Sequence, residues 1–403
     1  MRFFRDWSIS AFSAGFVAVL VGFTSSIAIV FQAAQAFGAT PEVMASWMWA
    51  IGLGMGLCTL VPSLWWRKPV MVAWSTPGAA VLASAGMAGN FSMGDAVGAF
   101  MMCAALIVLV GATGWFERLM DRIPTAIASA LLAGVLARFG LSAFTAAQTA
   151  LPLVLLMLLT YLAGKRFLPR YAVPLTLLVA IVFVALNHGF LPTRIQYGLT
   201  LPVWTTPAFS FSAFMSLALP LFIVTMASQN LPGVAAIKAA GYGDARASGG
   251  DAGIPISRTI TLTGLCTLVL APFGAFCLNL SAITAAICMG PEAHTDPQRR
   301  YTAAVSCGGL YVLVGLFGAT IIGVLTAFPK ELVAAIAGLA LLGSIAGGLR
   351  VALDKDLDRE AAIITFLVTL SGVTIAGVGS AFWGVVAGAL ALAVQHWHKP
   401  QGT

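Results

Sequence analysis

Charge is scarce in this chain. Only 9% of its 403 residues are Asp, Glu, Lys or Arg, against about 25% in a soluble domain, while 60% are hydrophobic. A water-soluble fold is thereby excluded. Histidine is rarer still. His188, His294, His396 and His398 are scattered, with no HExxH or comparable spacing. No nucleophile–base pair or paired carboxylates accompany them, so neither a metal centre nor a membrane enzyme is expected, and no cofactor. The six cysteines (Cys58, Cys103, Cys266, Cys277, Cys288 and Cys307) all fall in apolar stretches without metal-type spacing. They read as small buried hydrophobes rather than disulfide partners. The net charge of +7 comes without a basic cluster on a soluble face, which argues against nucleic acid. All 14 acidic residues lie in loops or near the ends of apolar runs. The run centres therefore lack the carboxylates and histidines that usually relay protons inside membranes.

What is present is a succession of apolar runs of roughly 20 residues, the length that crosses a bilayer as a helix. The fold expected is an all-α polytopic membrane protein of about fourteen spans. They cover 10–37, 43–65, 70–86, 95–115, 123–141, 149–164, 172–187, 212–240, 258–275, 278–290, 300–325, 331–349, 360–376 and 379–397. The basic start "MRFFRDWSISAFSAG" imitates a signal peptide, but its apolar run continues for about 25 residues without an evident cleavage site, so it reads as the first span. With the N-terminus inside, the inner loops hold all 21 Lys and Arg except Arg138, Arg194 and Lys330. This bias favours the span count and puts both termini on the cytoplasmic side.

Residues 188–211, including "LPVWTTPAFSFS", form an outer linker expected to carry short strand or interfacial structure. Seven spans precede it (1–187) and seven follow (212–403), so two similar halves must be inserted in opposite orientations. The halves do resemble each other. "ALIVLVGATG" (Ala105–Gly114) parallels "GLYVLVGLFG" (Gly309–Gly318), "IPTAIASALLAG" parallels "FPKELVAAIAG", and "TSSIAIVFQAAQAFG" parallels "ASQNLPGVAAIKAAGYG". Inverted repeats of this kind are a mark of secondary transporters.

The third and tenth spans are short and interrupted, at corresponding places in the two halves. Broken helices so placed point to a transport site. In "VAWSTPGAAVLAS" an extended piece meets a helix start at Ser75, Thr76, Pro77 and Gly78, where Ser or Thr suits the cap and Pro the first turn. In "LNLSAITAAIC", Asn279 and Ser281 are the candidate caps, followed by Ala282 and Thr284. A half-helix beginning at mid-membrane offers free N–H groups and the positive end of its dipole to an anion. Matched polar groups stand on the first spans of the halves: Thr24, Ser25 and Ser26, and Ser228, Gln229 and Asn230. They are either site residues or interhelical hydrogen-bonding groups.

The stretches "AWSTPGAA", "LPLFIVTMASQNLPGVAAIKAAGY", "AITAAICMGPEAH" and "GSAFWGVVAG" resemble the BenE family of benzoate–proton symporters, along essentially the whole chain. That family is similar in fold to the uracil transporter UraA and to sulfate and bicarbonate transporters. The resemblance implies a core domain (10–115 and 212–325), a gate domain (123–187 and 331–397), and substrate held between the third and tenth spans. It also implies benzoate or a similar aromatic carboxylate, protons and the lipid bilayer as partners, in an architecture that is commonly dimeric. Contacts are then expected from Ser25, Ser75, Thr76, Pro77, Gly78, Ser228, Gln229, Asn230, Asn279, Ser281, Ala282 and Thr284. The nucleobase relatives carry binding glutamates on the eighth and tenth spans. Here Ser228 takes the first of those positions and the second falls near Phe276, so the pocket is neutral and suits an anion. Phe31, Trp74, Phe273 and Phe276 are candidate apolar walls.

Asp95, Glu292 and His294 are the candidates for proton coupling. The alternatives are that they are solvated loop residues and that the substrate carries the proton itself. Arg138, near the outer end of the fifth span, could pair with Asp95, steer an anion or snorkel. Another organic anion as substrate, or an uncoupled facilitator or channel, is the rival function.

Overall fold

The computed structural model describes residues 2–87, 91–116, 124–169, 172–187, 198–243, 253–318, 320, 328–373, 375 and 380–397. After a one-turn helix at Arg2–Asp6, the first half runs α1 (Ile9–Ala36), α2 (Pro41–Trp66), β1 (Val72–Trp74), α3 (Thr76–Met87), α4 (Met93–Thr113), α5 (Thr125–Thr145), α6 (Ala147–Phe167) and α7 (Ala172–Leu186). The second half runs α8 (Phe211–Ala239), α9 (Ile256–Leu270), β2 (Leu278–Leu280), α10 (Ile283–Met289), α11 (Tyr301–Leu316), α12 (Lys330–Ala352), α13 (Arg359–Ser371) and α14 (Ser380–Trp397). Among the described residues seven helices are long and apolar enough to cross a membrane: α2, α4, α5, α6, α8, α9 with its 3-10 extension to Phe273, and α12.

Local chemistry sets the helix ends. Ser8, Thr40, Ser92 and Ser210 each accept a backbone N–H as N-caps, and Pro41 occupies the first turn of α2, where no N–H is needed. On α6, Leu151, Leu155, Leu159 and Leu162 are each about half exposed or more. That stripe at helical spacing faces hydrocarbon instead of water.

Helices of one half pack on helices of the other: α2 on α11, α4 on α9 and α5 on α12. The α2–α11 contact is backbone on backbone. A Cβ on Gly52 would lie 2.7 Å from Gly315 Cα, and one on Gly56 would lie 2.8 Å from Gly308 O. The apolar "IGLGMG" is therefore a close-approach face. Gly52→Val is expected to force these helices apart and destabilise the protein by about 1–3 kcal/mol. A melting temperature equal to the wild type's in detergent would contradict that. The cysteines fill small gaps of the same kind: all six are free and five are buried, with Cys266 half-buried.

The described part of the linker, 198–210, contains no strand. It runs extended across helix ends, with Thr200 N donating to Leu316 O (2.8 Å), Thr205 N to Pro272 O (2.8 Å) and Ala208 N to Gly94 O (2.9 Å). Ser46 Oγ completes the tether, accepting from Val203 N (2.8 Å) and donating to Phe273 O (2.9 Å). No strand forms in this part because these N–H groups are satisfied singly by separate helix termini; residues 188–197, the rest of the linker, lie outside the described residues.

Candidate functional site

The two interrupted segments meet. β1 and β2 form a two-stranded antiparallel ribbon, with Val72 opposite Leu280, Ala73 opposite Asn279 and Trp74 opposite Leu278. Ser75 N extends the ladder to Cys277 O (3.1 Å), and Ser281 N to Met71 O (3.0 Å). N–H groups on the outer edges of the ribbon are also taken: Val72 N donates to Thr59 Oγ1 (3.2 Å), Leu278 N to Thr267 Oγ1 (3.2 Å) and Leu280 N to Asn230 Oδ1 (2.9 Å), as buried extended backbone in a membrane protein requires. At each end a serine turns the chain into a helix. Ser75 Oγ accepts from Gly78 N at 3.1 Å. Ser281 Oγ accepts from Thr284 N at 3.3 Å and from Thr284 Oγ1 at 2.8 Å. Gly78 has no room for a side chain, since a Cβ would come within 2.8 Å of Leu221 and of Ser75 Oγ.

A third element supports the crossing. Within α8, Met226–Asn230 forms a π-helical turn just before Pro232. The polar "SQN" is thus a local widening of the helix, a feature frequent at functional sites. Asn230, fully buried, accepts from Leu280 N at 2.9 Å and so pins β2 to α8. Gly233 lets β2 approach, because a Cβ there would lie 2.6 Å from that of Leu280.

Above this scaffold lies a cavity of about 50 Å³, lined by Trp74, Thr76, Gln229, Ser281, Thr284 and Tyr311, with Val21, Gly22, Met55, Ala73 and Ile283 filling the rest of its wall. Of the residues expected from sequence, Thr76, Gln229, Ser281 and Thr284 reach it, and Trp74 is the one expected aromatic wall that does. Ser75, Gly78, Asn230 and Asn279 are buried in the scaffold around it, and neither they nor Pro77, Ser228 and Ala282 are among the lining residues. Two keep an unsatisfied polar atom: Ser228 Oγ and Asn279 Oδ1 are buried without a hydrogen-bond partner. The side chains of Thr24, Ser25 and Ser26 lie outside the described residues.

Sequence reasoning missed Tyr311 and Gly22. Tyr311 is fully buried, its ring 5.7 Å from that of Phe23, which in turn meets Trp74 edge-on at 4.8 Å. Gly22 leaves space for the phenol, since a Cβ would lie 3.2 Å from Tyr311 Oη. A tyrosine in mid-span "GLYVLVG" was the available signal, because a buried hydroxyl needs a polar neighbour. The other expected walls serve elsewhere. Phe276 packs between Trp47 and Phe100, and Phe273 between Trp49 and Trp204. Phe31 is partly buried against the core.

The expected titrating groups are widely different in setting. Asp95 accepts from Ser92 N (2.9 Å) and Ser92 Oγ (2.7 Å), and Ser92 Oγ accepts from Asp95 N in turn (3.2 Å), so its carboxylate is committed to a capping box. His294 is buried, its Nδ1 accepting from Asp296 N at 3.0 Å. Glu292 lies three residues past the end of α10, 2.6 Å from Lys165 Nζ in the last turn of α6. Lys165 also sits over the Tyr161 ring, 5.8 Å from its centre. On the other side Glu292 packs against Gly343 of α12, where a Cβ would meet Oε1 at 2.7 Å. Arg138 pairs with no carboxylate among the described residues. Its guanidinium lies on Gly372, the left-handed C-cap of α13 (φ 70°), where a cation is favoured by the helix dipole. No cluster of three or more His, Cys, Asp or Glu suited to a metal occurs among the described residues.

The chain is similar to known membrane proteins along its length. It is 48% identical over 381 residues to the inner membrane protein YdcO of Escherichia coli (strain K12), covering 94% of each chain. It is 40% identical over 387 residues to the benzoate membrane transport protein of Acinetobacter baylyi (strain ATCC 33305 / BD413 / ADP1), covering 96% of this chain and 95% of that one. Among solved structures, SLC26A9 matches with a TM-score of 0.54 at 12% identity, over 97% of this chain and 66% of that one. The transmembrane domain of the cyanobacterial bicarbonate transporter BicA gives 0.47 at 15% identity, over 96% and 97%. The family model described as benzoate membrane transport protein matches residues 5–394; this chain belongs to that family, BenE, a family of membrane transporters and not of enzymes.

Proposed function

We propose that this chain carries benzoate, or a similar aromatic carboxylate, across a bacterial inner membrane together with protons, by alternating access. The observation that carries the reading is the cavity at the ribbon crossing. Its polar lining of Thr76, Gln229, Ser281 and Thr284 is uncharged, and its walls include Trp74 and Tyr311. Hydroxyls and an amide can donate to a carboxylate, the start of the twelve-residue α3 adds the positive end of its dipole, and the aromatic rings suit a benzene ring. Ser25, Ser75, Pro77, Gly78, Ser228, Asn230, Asn279 and Ala282 complete the proposed site, the scaffold residues among them by holding the cap and the ribbon in place.

In this conformation the free space holds only a few waters, by the measure in which one water needs roughly 10–15 Å³. Substrate entry therefore requires the walls to part. We assign the parting surfaces to a core domain (10–115 and 212–325) and a gate domain (123–187 and 331–397). The halves 1–187 and 212–403 are read as inverted repeats. The packing supports this: exchanging the halves turns the α2–α11 contact into α9–α4, and both contacts are made. In this assignment Lys165–Glu292 joins gate to core on the inner side, and Glu292 is the leading candidate for the coupling proton, ahead of His294 and Asp95. Both termini are placed in the cytoplasm, and a homodimer is the proposed assembly.

The test is uptake of radiolabelled benzoate into proteoliposomes with and without an inward proton gradient. Protein-free liposomes subtract passive entry of the neutral acid. Accumulation that collapses with the gradient is the expected result. Equilibration without accumulation would make the protein a facilitator, and no uptake by folded protein would refute the substrate.

A further inference from the structure

At the end of the molecule that carries the N-terminus lies a cleft of about 820 Å³, remote in character from the neutral cavity. It is lined by Arg5, Arg67, Lys68 and Arg299, with Asp6 and Asp296. The two carboxylates are taken. Arg299 Nε lies 3.3 Å from Asp296 and 3.9 Å from Asp6, and Asp6 also accepts from the Tyr301 hydroxyl at 2.9 Å. Among the described residues Arg5 and Arg67 have no carboxylate within ion-pairing distance, and Lys68 lines the cleft next to Arg67. The cleft thus keeps an excess of positive charge facing outward.

Two further observations indicate what fills it. Arg67 is the C-cap of α2 and holds a left-handed backbone, φ 51° and ψ 39°. Glycine is the usual residue at such a cap, so an arginine there retains its side chain at a cost in backbone strain. Trp66 lines the cleft, and two large aromatic side chains of the same chain segments are turned outward, Phe4 at 81% and Trp65 at 82% exposure. They stand immediately before Arg5 and two residues before Arg67, where the apolar helices α1 and α2 begin and end. Exposed aromatic rings beside Arg and Lys at helix ends mark the headgroup level of a bilayer, and basic pockets between membrane helices bind anionic headgroups there. Tyr242, also in the cleft, has its hydroxyl pushed up to about 12 by burial, so it stays neutral and adds no negative charge.

We infer that this cleft binds the phosphate headgroup of an anionic phospholipid, with Arg5, Arg67 and Lys68 as the binding cations. Phe4 and Trp65 lie along the acyl chains, while Arg299, held by its two carboxylates, shapes the floor.

Native mass spectrometry of the purified protein, released from micelles carrying equal phosphatidylglycerol and phosphatidylcholine, tests this. Wild-type protein is expected to retain phosphatidylglycerol over phosphatidylcholine by about 100-fold. Each cation near an anionic headgroup contributes roughly a fivefold preference, so the triple variant R5Q/R67Q/K68Q should lose about 100-fold. Arg67→Gly separates site from fold, because relieving the left-handed strain should raise the melting temperature while weakening retention about fivefold. Equal retention by wild type and triple variant, or no preference over phosphatidylcholine, would overturn the assignment. Displacement of the lipid by an equal concentration of inorganic phosphate would assign the cleft to a soluble anion and overturn it as well.

Discussion

Gln229→Glu is expected to lower benzoate uptake at pH 7 by about two orders of magnitude, with partial recovery as the pH falls. Gln229 lines the cavity together with Thr76, Ser281 and Thr284, and the substitution changes its charge with almost no change of shape. Two like charges about 5 Å apart at an effective dielectric constant of about 20 repel by roughly 3 kcal/mol, or more than a hundredfold. The sign of the pH effect follows from which form is charged. Above its pKa the new carboxylate repels a bound carboxylate. Below it the side chain is neutral and donates a hydrogen bond, so uptake returns. Gln229→Ala is the control, since losing one hydrogen bond to a charged group costs about 1.5–3 kcal/mol with no such pH dependence. Wild-type uptake by folded Gln229→Glu protein at pH 7 would remove Gln229 from the site, and with it the argument for a neutral pocket.

The parts of this site that were legible in the sequence are those written in local chemistry. The break at Ser75–Gly78 could be read because proline, glycine and a capping serine act within one turn, and Ser75 does cap at Gly78 N. The same holds for Ser281 and Thr284. The polar triplet at 228–230 was visible as a local excess, but its division of labour was not. Asn230 turns to Leu280, fifty positions on, while Gln229 lines the cavity. That difference depends on the π-helical turn, which rotates consecutive side chains away from the ordinary helical positions. Tyr311 was missed for a related reason. It belongs to α11, which reaches the site only because glycines bring α2 and α11 into backbone contact. A sequence shows the glycines without showing what they approach. Phe276 shows the converse error. Alignment with the nucleobase transporters put a site position near it, yet its ring packs between Trp47 and Phe100. The left-handed Gly274 (φ 103°) two residues earlier seats directly on Trp47, fixing that side of the ribbon as core.

Glu292→Gln is expected to abolish gradient-driven accumulation while leaving benzoate counterflow intact. An inward gradient of one pH unit supplies about 1.36 kcal/mol per proton, enough for roughly tenfold accumulation by one-to-one symport. The variant's ratio should fall to about one. Glu292 is partly buried, 15% exposed, and spans from the end of α10 to Lys165 on α6 and to the glycine face of α12. The facing polar and charged groups are Lys165 and Tyr161 from α6 and Ser10 from α1, which lines a small cavity beside Glu292. If the half-helix α10 moves with the substrate relative to α6 and α12, this ion pair must break in each cycle. Protonating Glu292 removes the charge that holds it, so proton uptake and release of the contact become one event. Glutamine mimics the protonated form permanently, which frees the movement and disconnects it from the gradient. Lys165→Gln is the informative companion, because it loosens the same contact but keeps the titratable group, and accumulation should survive. Accumulation by Glu292→Gln equal to the wild type's would show that the proton travels elsewhere, through His294, Asp95 or the substrate itself.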